Sequence, residues 1–473
     1  MKIKIILNSF FIMLILFIFS GCNKWLNVIP QTQVPQSVMF SNEQGFKDAL
    51  IGVYTQMGGA SIYGTNTTFG LADQLAGNYD NIYTSSGSLY QVSLYNFTDA
   101  TIKANIANIW DSMYNCISSL NNILAQIDSK KAIFSGNNYN MVKGEALGLR
   151  ALLHFDVLRM FGQQPAPYGD TTQKTIPYVT SFGITQTPFS SFGTVINDCI
   201  TDLNAAKQLL QVQQTINTSN ATDPFLTFTQ NHLNYWAVQG LMARIYLYNG
   251  DKTNASINAL AVINAGIFPF IQKSQITLYT DRTFSVEQLF SLYIYNLGTL
   301  QTSSFENSVS TNFTYQSTAY TNSVYESSST DYRFLFCYGI YNSLRVPAKF
   351  WQDNPAIADG NTFSRIIPII RLSEMYYIAA ETAADPVTGV GYLNTVRINR
   401  GLTALATTIT ANTLQNEIMK EYRKEFVQEG QLYFYYKRNN INLNAVTNNP
   451  NSVPVGALPY IFPLPDNEVQ FRH

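Results

Sequence analysis

Carboxylates and guanidinium groups crowd the last part of this 473-residue chain. Arg371, Glu374 and Glu381 fall near one stripe of a helical pattern, and Glu421, Glu425 and Glu429 line another, with Arg397, Arg400, Arg423 and Arg438 nearby in sequence. Paired acids can do general acid and base work, and a glycosidase needs only two carboxylates. Spacings of three and four residues are also those of ion pairs within and between packed helices, and that structural use is the expected one. Motifs of other catalytic chemistries are missing: there is no H-E-x-x-H, no G-x-S-x-G and no phosphate-cradling glycine loop. The three histidines, His154, His232 and His473, are scattered. No enzyme activity, metal or cofactor is expected.

A second kind of chemistry is recognition. A sugar ring offers a flat apolar face to an aromatic ring, while its hydroxyls need amide, carboxylate or guanidinium partners. Two stretches mix those residue types: NYDNIYTSSGSLYQVSLY, residues 78 to 95, and residues 296 to 333, which include Phe305, Phe313, Tyr315, Tyr320 and Tyr325. The candidate ligand-binding residues are Asn78, Tyr79, Asp80, Tyr83, Tyr90, Tyr315 and Tyr320. Against each tyrosine stands the alternative that it packs beneath its own loop, a common fate for this side chain. Trp25, Trp110, Trp236 and Trp351 lie outside both stretches, which keeps a peptide or glycopeptide ligand open.

The elements that must position these loops read as helices. Residues 140 to 162 repeat Val142, Ala146, Leu149, Leu153, Val157 and Met160 at steps of three and four, the period of an amphipathic helix. Gly162 is expected to end it in a left-handed cap, with the prolines of QQPAPYGD preventing continuation. Residues 231 to 266 read as two helices joined at Asn249-Gly250-Asp251, with Trp236, Gly240, Ala243 and Leu247 on one stripe and a stop at Gly266. A large-small-small hairpin of about 34 residues resembles a tetratricopeptide repeat. Further pairs are expected at 43 to 57 with 104 to 127, at 140 to 161 with 192 to 210, and at 369 to 383 with 388 to 400. A last helix is expected near 413 to 429. The fold class is therefore mainly α, a solenoid of helical hairpins with a loop-rich portion inserted near 60–100 and 297–365.

Composition narrows the setting. Charged residues make up only 12% of the chain, Tyr and Phe number 30 each, and the net charge is −1. No basic block exists, so nucleic acid is not an expected partner. At the N-terminus Lys2 and Lys4 precede an apolar run from Phe10 to Phe19 and the small residues Ser20 and Gly21, a signal-peptide pattern too short to span a membrane. FIFSGCNKW, residues 17 to 25, resembles a lipobox. On that reading residues 1–21 are a lipoprotein signal peptide, Cys22 carries the lipid (diacylglycerol and palmitate), and residues 22–473 form one domain. Cys116, Cys199 and Cys337 have no metal-site spacing and are expected to be buried small hydrophobes, their disulfide state unreadable from sequence.

WLNVIPQTQ, EALGLRALLHFDVLRMFG, RLSEMYYIAAETAA, YLNTVRINRGL, EIMKEYRKEFVQEGQLYFYYKR and YIFPLPDNEV, in this order, resemble the SusD/RagB family. GLADQL, just before Asn78, resembles the Asp motif that precedes the family's ligand loop. The resemblance implies a lipid-anchored outer-membrane protein that faces the cell exterior. Such a protein captures a nutrient, usually a glycan, and sits as a lid on a SusC-like TonB-dependent transporter without cleaving its ligand. It also implies a scaffold of tetratricopeptide-like helix pairs with the ligand site on the loops. Peptide or glycopeptide capture of the RagB kind is the alternative, and a surface glycoside hydrolase is the weaker one.

Overall fold

A short polar side chain closes the first turn of most long helices in the computed structural model, which describes residues 35–80, 88–276, 281–307, 313–351, 365–446 and 459–471. Such a side chain satisfies backbone N–H groups that have no partner inside the helix. Asn42 caps α1 (Glu43–Met57), and Asp99 caps α2 (Ala100–Ile127). The long helix α3 (Asn138–Phe161) follows, then α4 (Phe192–Leu210), capped by Ser191. Asn234 caps α5 (Tyr235–Tyr248) and Asp251 caps α6 (Lys252–Ala265). After α7 (Leu372–Thr382), Asp385 caps α8 (Pro386–Asn399), whose proline sits where its missing N–H costs nothing. Thr410 caps α9 (Ala411–Glu425), and α10 (Gln431–Arg438) ends the series.

Each of these helices from α1 to α9 packs on the next, including all four expected pairs. The shared apolar core runs from Phe40 to Phe462. Cys116, Cys199 and Cys337 are buried free thiols.

The strands are short. β1 (Lys174–Pro177) pairs antiparallel with β2 (Phe189–Ser191). β3 (Gln288–Tyr293) pairs antiparallel with the distant β6 (Ile366–Arg371), and β4 (Tyr338–Tyr341) pairs with β5 (Leu344–Pro347). Asn342 and Ser343 join β4 to β5 with φ of 47° and 65°, the left-handed pair that a two-residue hairpin turn requires.

Three boundaries differ from the sequence expectation, each for a local reason. Residues 369 to 371 belong to β6 (Ile366–Arg371), because the β-branched tract IIPII fits a pleated surface and pairs with β3 before α7 begins. Gly162 is extended, with φ −80° and ψ 169°. Its lack of a side chain serves a close approach, since a Cβ there would lie 2.7 Å from the Leu158 carbonyl oxygen. The last helix stops at Glu425, and Gly430 at φ 69° starts α10 in a new direction.

At Gly430 both conformation and space exclude a side chain, because an added Cβ would sit 2.1 Å from the Thr67 carbonyl oxygen. Gly430→Ala is expected to cost at least about 2 kcal/mol from the left-handed backbone and the clash together. Urea unfolding of the variant would read this directly, and an unchanged midpoint would refute it.

The inserted regions are built from turns and short helices. Residues 58 to 70 form a succession of turns that leads into the helix Leu71–Leu75, and Ser88–Ser93 forms another. The second insertion holds helices Leu297–Phe305, Thr318–Val324 and Tyr332–Phe336 and the β4–β5 hairpin.

Candidate ligand-binding face

The carboxylates that could have done acid and base chemistry are committed to buried cations. Glu425 is fully buried and meets Arg371, Arg400 at 2.7 Å and Arg333 at 2.9 Å. Glu421 receives Arg333 and Arg397, both at 2.8 Å. Glu429 receives Arg371 at 2.8 Å and Lys349. Glu374 pairs with Arg244, Glu381 with Arg438, and Glu287 with Arg400, each at 2.6 Å. Burial alone would raise the Glu425 carboxyl, but the Arg400 and Arg371 charges hold it well below the usual carboxylate range. A general acid needs the opposite shift. The pairs of Glu421, Glu425 and Glu429 clamp α8 and α9 to β6 and to the segment 331–333, and those of Glu374 and Glu381 tie α7 to α5 and α10.

Above this clamp the two predicted loops meet. The Asp80 N–H donates to the Tyr315 carbonyl at 2.8 Å, and the Ser317 N–H donates to Asp80 Oδ2 at 2.6 Å, a contact between residues 237 positions apart. Gln316 Nε2 donates to the Asn78 carbonyl, and the Gln316 N–H donates to the Arg345 carbonyl of β5 at 2.9 Å. Asn78, Asp80, Tyr315 and Tyr320 are thus gathered at one place. Asp73 anchors the first loop from below: its carboxylate accepts from Tyr79 Oη at 2.9 Å, the Gln428 N–H at 2.6 Å and the Gly430 N–H at 3.0 Å. Burial pushes the Asp73 carboxyl up to about 7 against those hydrogen bonds and the charge of Lys349.

The gathered residues differ in what they can offer a ligand. Tyr79 is buried, its ring edge-on to Phe305 at 5.6 Å and its hydroxyl given to Asp73. Tyr320 is also buried, with the charge of Arg423 near its phenol. Both rings stand in the packing beneath the loops. Asn78 is buried, and its Nδ2, like Gln316 Oε1 beside it, has no protein partner among the described residues. An ordered water or a ligand hydroxyl would satisfy such a pair. Asp80 and Tyr315 are half-buried, and Tyr315 stacks near Phe313 at 6.1 Å between centroids. Tyr90 is half-buried on the helix Ser88–Ser93. Tyr83 and Cys22 lie outside the described residues.

Sequence reasoning missed an exposed aromatic pair, because the window from residue 296 opened three positions too late to hold both rings. Tyr293 at the end of β3 is 50% exposed and Tyr295 just beyond it 78% exposed. The Arg365 guanidinium lies 5.0 Å over the Tyr295 ring and donates to Tyr293 Oη at 3.3 Å. The signal was strand alternation in QLFSLYIY: Phe290, Leu292 and Ile294 face the core, which turns Tyr293 and Tyr295 outward at the strand end. Helix Leu297–Phe305 connects this platform to the gathered loops, its last residue touching Tyr79 and its Ser304 carbonyl accepting the Thr314 N–H at 2.8 Å. Trp351 was also placed apart by sequence, yet its ring covers Gly339 of β4 so closely that a Cβ there would lie 1.9 Å away.

Two family models match the chain in succession: one described as starch-binding associating with outer membrane, over residues 24–247, and the SusD family, over residues 287–470. The chain belongs to the SusD/RagB family. The candidate face draws on both matches, Asn78 to Asp80 from the first and Tyr293 to Arg365 from the second. Solved SusD-like structures share the fold. A SusD superfamily protein from Bacteroides thetaiotaomicron VPI-5482 is 26% identical with a TM-score of 0.72, over 91% of this chain and 98% of its own. A SusD-like carbohydrate binding protein from Bacteroides vulgatus ATCC 8482 is 19% identical with a TM-score of 0.66, over 84% of this chain and 83% of its own. A laminarin binding SusD-like protein is 15% identical with a TM-score of 0.64, over 91% and 97%. A comparison with curated proteins finds no match. Among the described residues of this SusD-family chain, no helix is long and apolar enough to cross a membrane.

Proposed function

We propose that this SusD-family chain is an outer-membrane lipoprotein that captures a glycan on its loop face and delivers it, uncleaved, to a SusC-like TonB-dependent transporter. The observation that carries the ligand class is the exposed Tyr293–Tyr295 pair with Arg365 between them. Two outward rings give a saccharide its apolar contact, and the guanidinium supplies donors for hydroxyls. Asp80 and Tyr315 extend the polar and aromatic surface along the adjoining loops.

Isothermal titration against starch, laminarin and a panel of other polysaccharides tests the ligand. Binding to at least one glycan is the expected result, with no shortened products after incubation. Tight binding to peptides and to no glycan would replace this reading with peptide capture.

The anchor has its own test. Cys22→Ala should release the protein from the membrane fraction and abolish labelling by a radioactive fatty acid. A variant that stays membrane-bound and labelled would refute lipid attachment at Cys22. Copurification of a large β-barrel with the lipidated protein, lost after detergent exchange of the Cys22→Ala form, would identify the transporter partner.

A further inference from the structure

A second concavity lies on the helical scaffold and shares no residue with the loop face. It measures about 440 Å³ and is formed by α2, the connection between β1 and β2, and the C-terminal helix Asp466–Gln470. That volume is in the range of small-ligand sites, above the size of one sugar ring.

Its walls are fixed by hydrogen bonds. Tyr114 Oη donates to the Pro177 carbonyl at 2.9 Å, Asn121 Nδ2 to the Val179 carbonyl at 2.8 Å, and Gln186 Nε2 to the Phe471 carbonyl at 3.3 Å. The Val179 N–H is held in turn by His154 Nε2 at 2.9 Å. The cleft therefore exists without a ligand to shape it, which lowers the ordering cost of binding.

The lining combines ring and hydroxyl chemistry. Half-buried Tyr114, backed by the buried Trp110 ring at 4.7 Å between centroids, and the exposed Phe471 provide aromatic surface, and Ser118, Thr185, Gln186 and Glu468 provide hydroxyl, amide and carboxylate groups. No lysine or arginine lines it among the described residues. Glu468 and the neighbouring Asp111, whose carboxyl is raised by partial burial and by Glu468, place two carboxylates at the edge of the cleft. Aromatic faces with hydroxyl-binding groups and carboxylates suit a neutral saccharide and fit uronates, sulfated sugars and acidic peptides less well.

We infer that this cleft is a second binding site for two or three rings of a neutral oligosaccharide, an inference that rests on the glycan reading above. It would hold a chain already engaged by the loop face or a separate one at the same time.

The test uses maltoheptaose and laminarihexaose as probes, with tetragalacturonate as the acidic comparison, in isothermal titration and native mass spectrometry. Tyr293→Ala/Tyr295→Ala removes the platform alone, and Ser118→Trp or the loop variant Thr185→Trp fills the cleft alone. Melting curves would check that each is folded. The expected result is that the platform variant still binds one equivalent of a neutral probe. Adding Ser118→Trp or Thr185→Trp should weaken this residual binding about tenfold or more, and tetragalacturonate should not occupy the cleft. If the platform variant loses all binding while both cleft variants match wild type, the cleft inference falls and the glycan reading stands. Absence of neutral-glycan binding to every form, wild type included, would overturn both.

Discussion

Glu425→Ala should lower the unfolding free energy by about 3–5 kcal/mol, a cost typical of removing one partner from a buried ion network. Glu425 is the common acceptor for Arg333, Arg371 and Arg400, none of which is more than 1% exposed. Deleting it leaves three guanidinium groups with fewer counter-charges in a place where water cannot replace them. Part of that charge stays paired through Asp331, Glu429 and Glu287, which keeps the loss from rising further. Glu425→Gln should be milder, since it keeps the shape and one acceptor oxygen. The contrast is Lys103→Ala, which breaks the exposed pair with Asp466 and should leave the urea midpoint unchanged. Equal midpoints for Glu425→Ala and wild type would show that the network does not hold α8, α9 and β6 together.

Asp73 should give the protein a pH-dependent stability of the same order. Burial pushes its folded pKa up to about 7, whereas an unfolded aspartate titrates near about 3.9. Between these values the folded state binds the additional proton, so the slope of stability with pH is negative. Its contribution is complete below about pH 4 and is lost as pH rises through about 7. A shift of about three pH units corresponds to about 4 kcal/mol at most. Asp73→Asn should flatten this component, so the difference in urea stability between wild type and variant, measured from pH 5 to 8, isolates it. Parallel profiles would mean that Asp73 stays ionised across the range. Because Asp73 holds Tyr79, Gln428 and Gly430, its protonation also bears on how firmly the Asn78–Asp80 loop is seated.

Much of the scaffold was legible because it depends on local periodicity. The stripe from Val142 to Met160 and the hairpin turn at Gly250 need only near neighbours, and both elements form where expected. The structural use of Glu421, Glu425 and Glu429 was legible for the same reason, although Arg333, which pairs with Glu421 and Glu425, and Glu287, which shares Arg400 with Glu425, belong to regions with no helical pattern. What local pattern cannot show is pairing at long range. The contact of Asp80 with Ser317 is set by tertiary folding, and so is the strand identity of Ile369 to Arg371, which depends on β3.

The candidate site was legible in composition and less so residue by residue. Choosing Asn78, Asp80 and Tyr315 found loops that do meet, but an aromatic in a polar loop carries no sign of whether it faces in or out. Tyr79 faces in because buried Asp73 accepts its hydroxyl and Phe305 of the second insertion meets its ring, and Tyr320 faces in toward Arg423 of α9. Tyr293 and Tyr295 face out because the core beneath them is filled by Leu292 and Ile294.

Titration of the purified protein and of Tyr293→Ala/Tyr295→Ala with the polysaccharide panel, in parallel, tests glycan capture by the loop face most directly. Wild type should bind at least one glycan of the panel, and the double variant should bind it about tenfold more weakly at the high-affinity site, the loss of roughly 1.4 kcal/mol expected for two aromatic contacts. An unchanged affinity in a folded double variant would contradict capture through this platform.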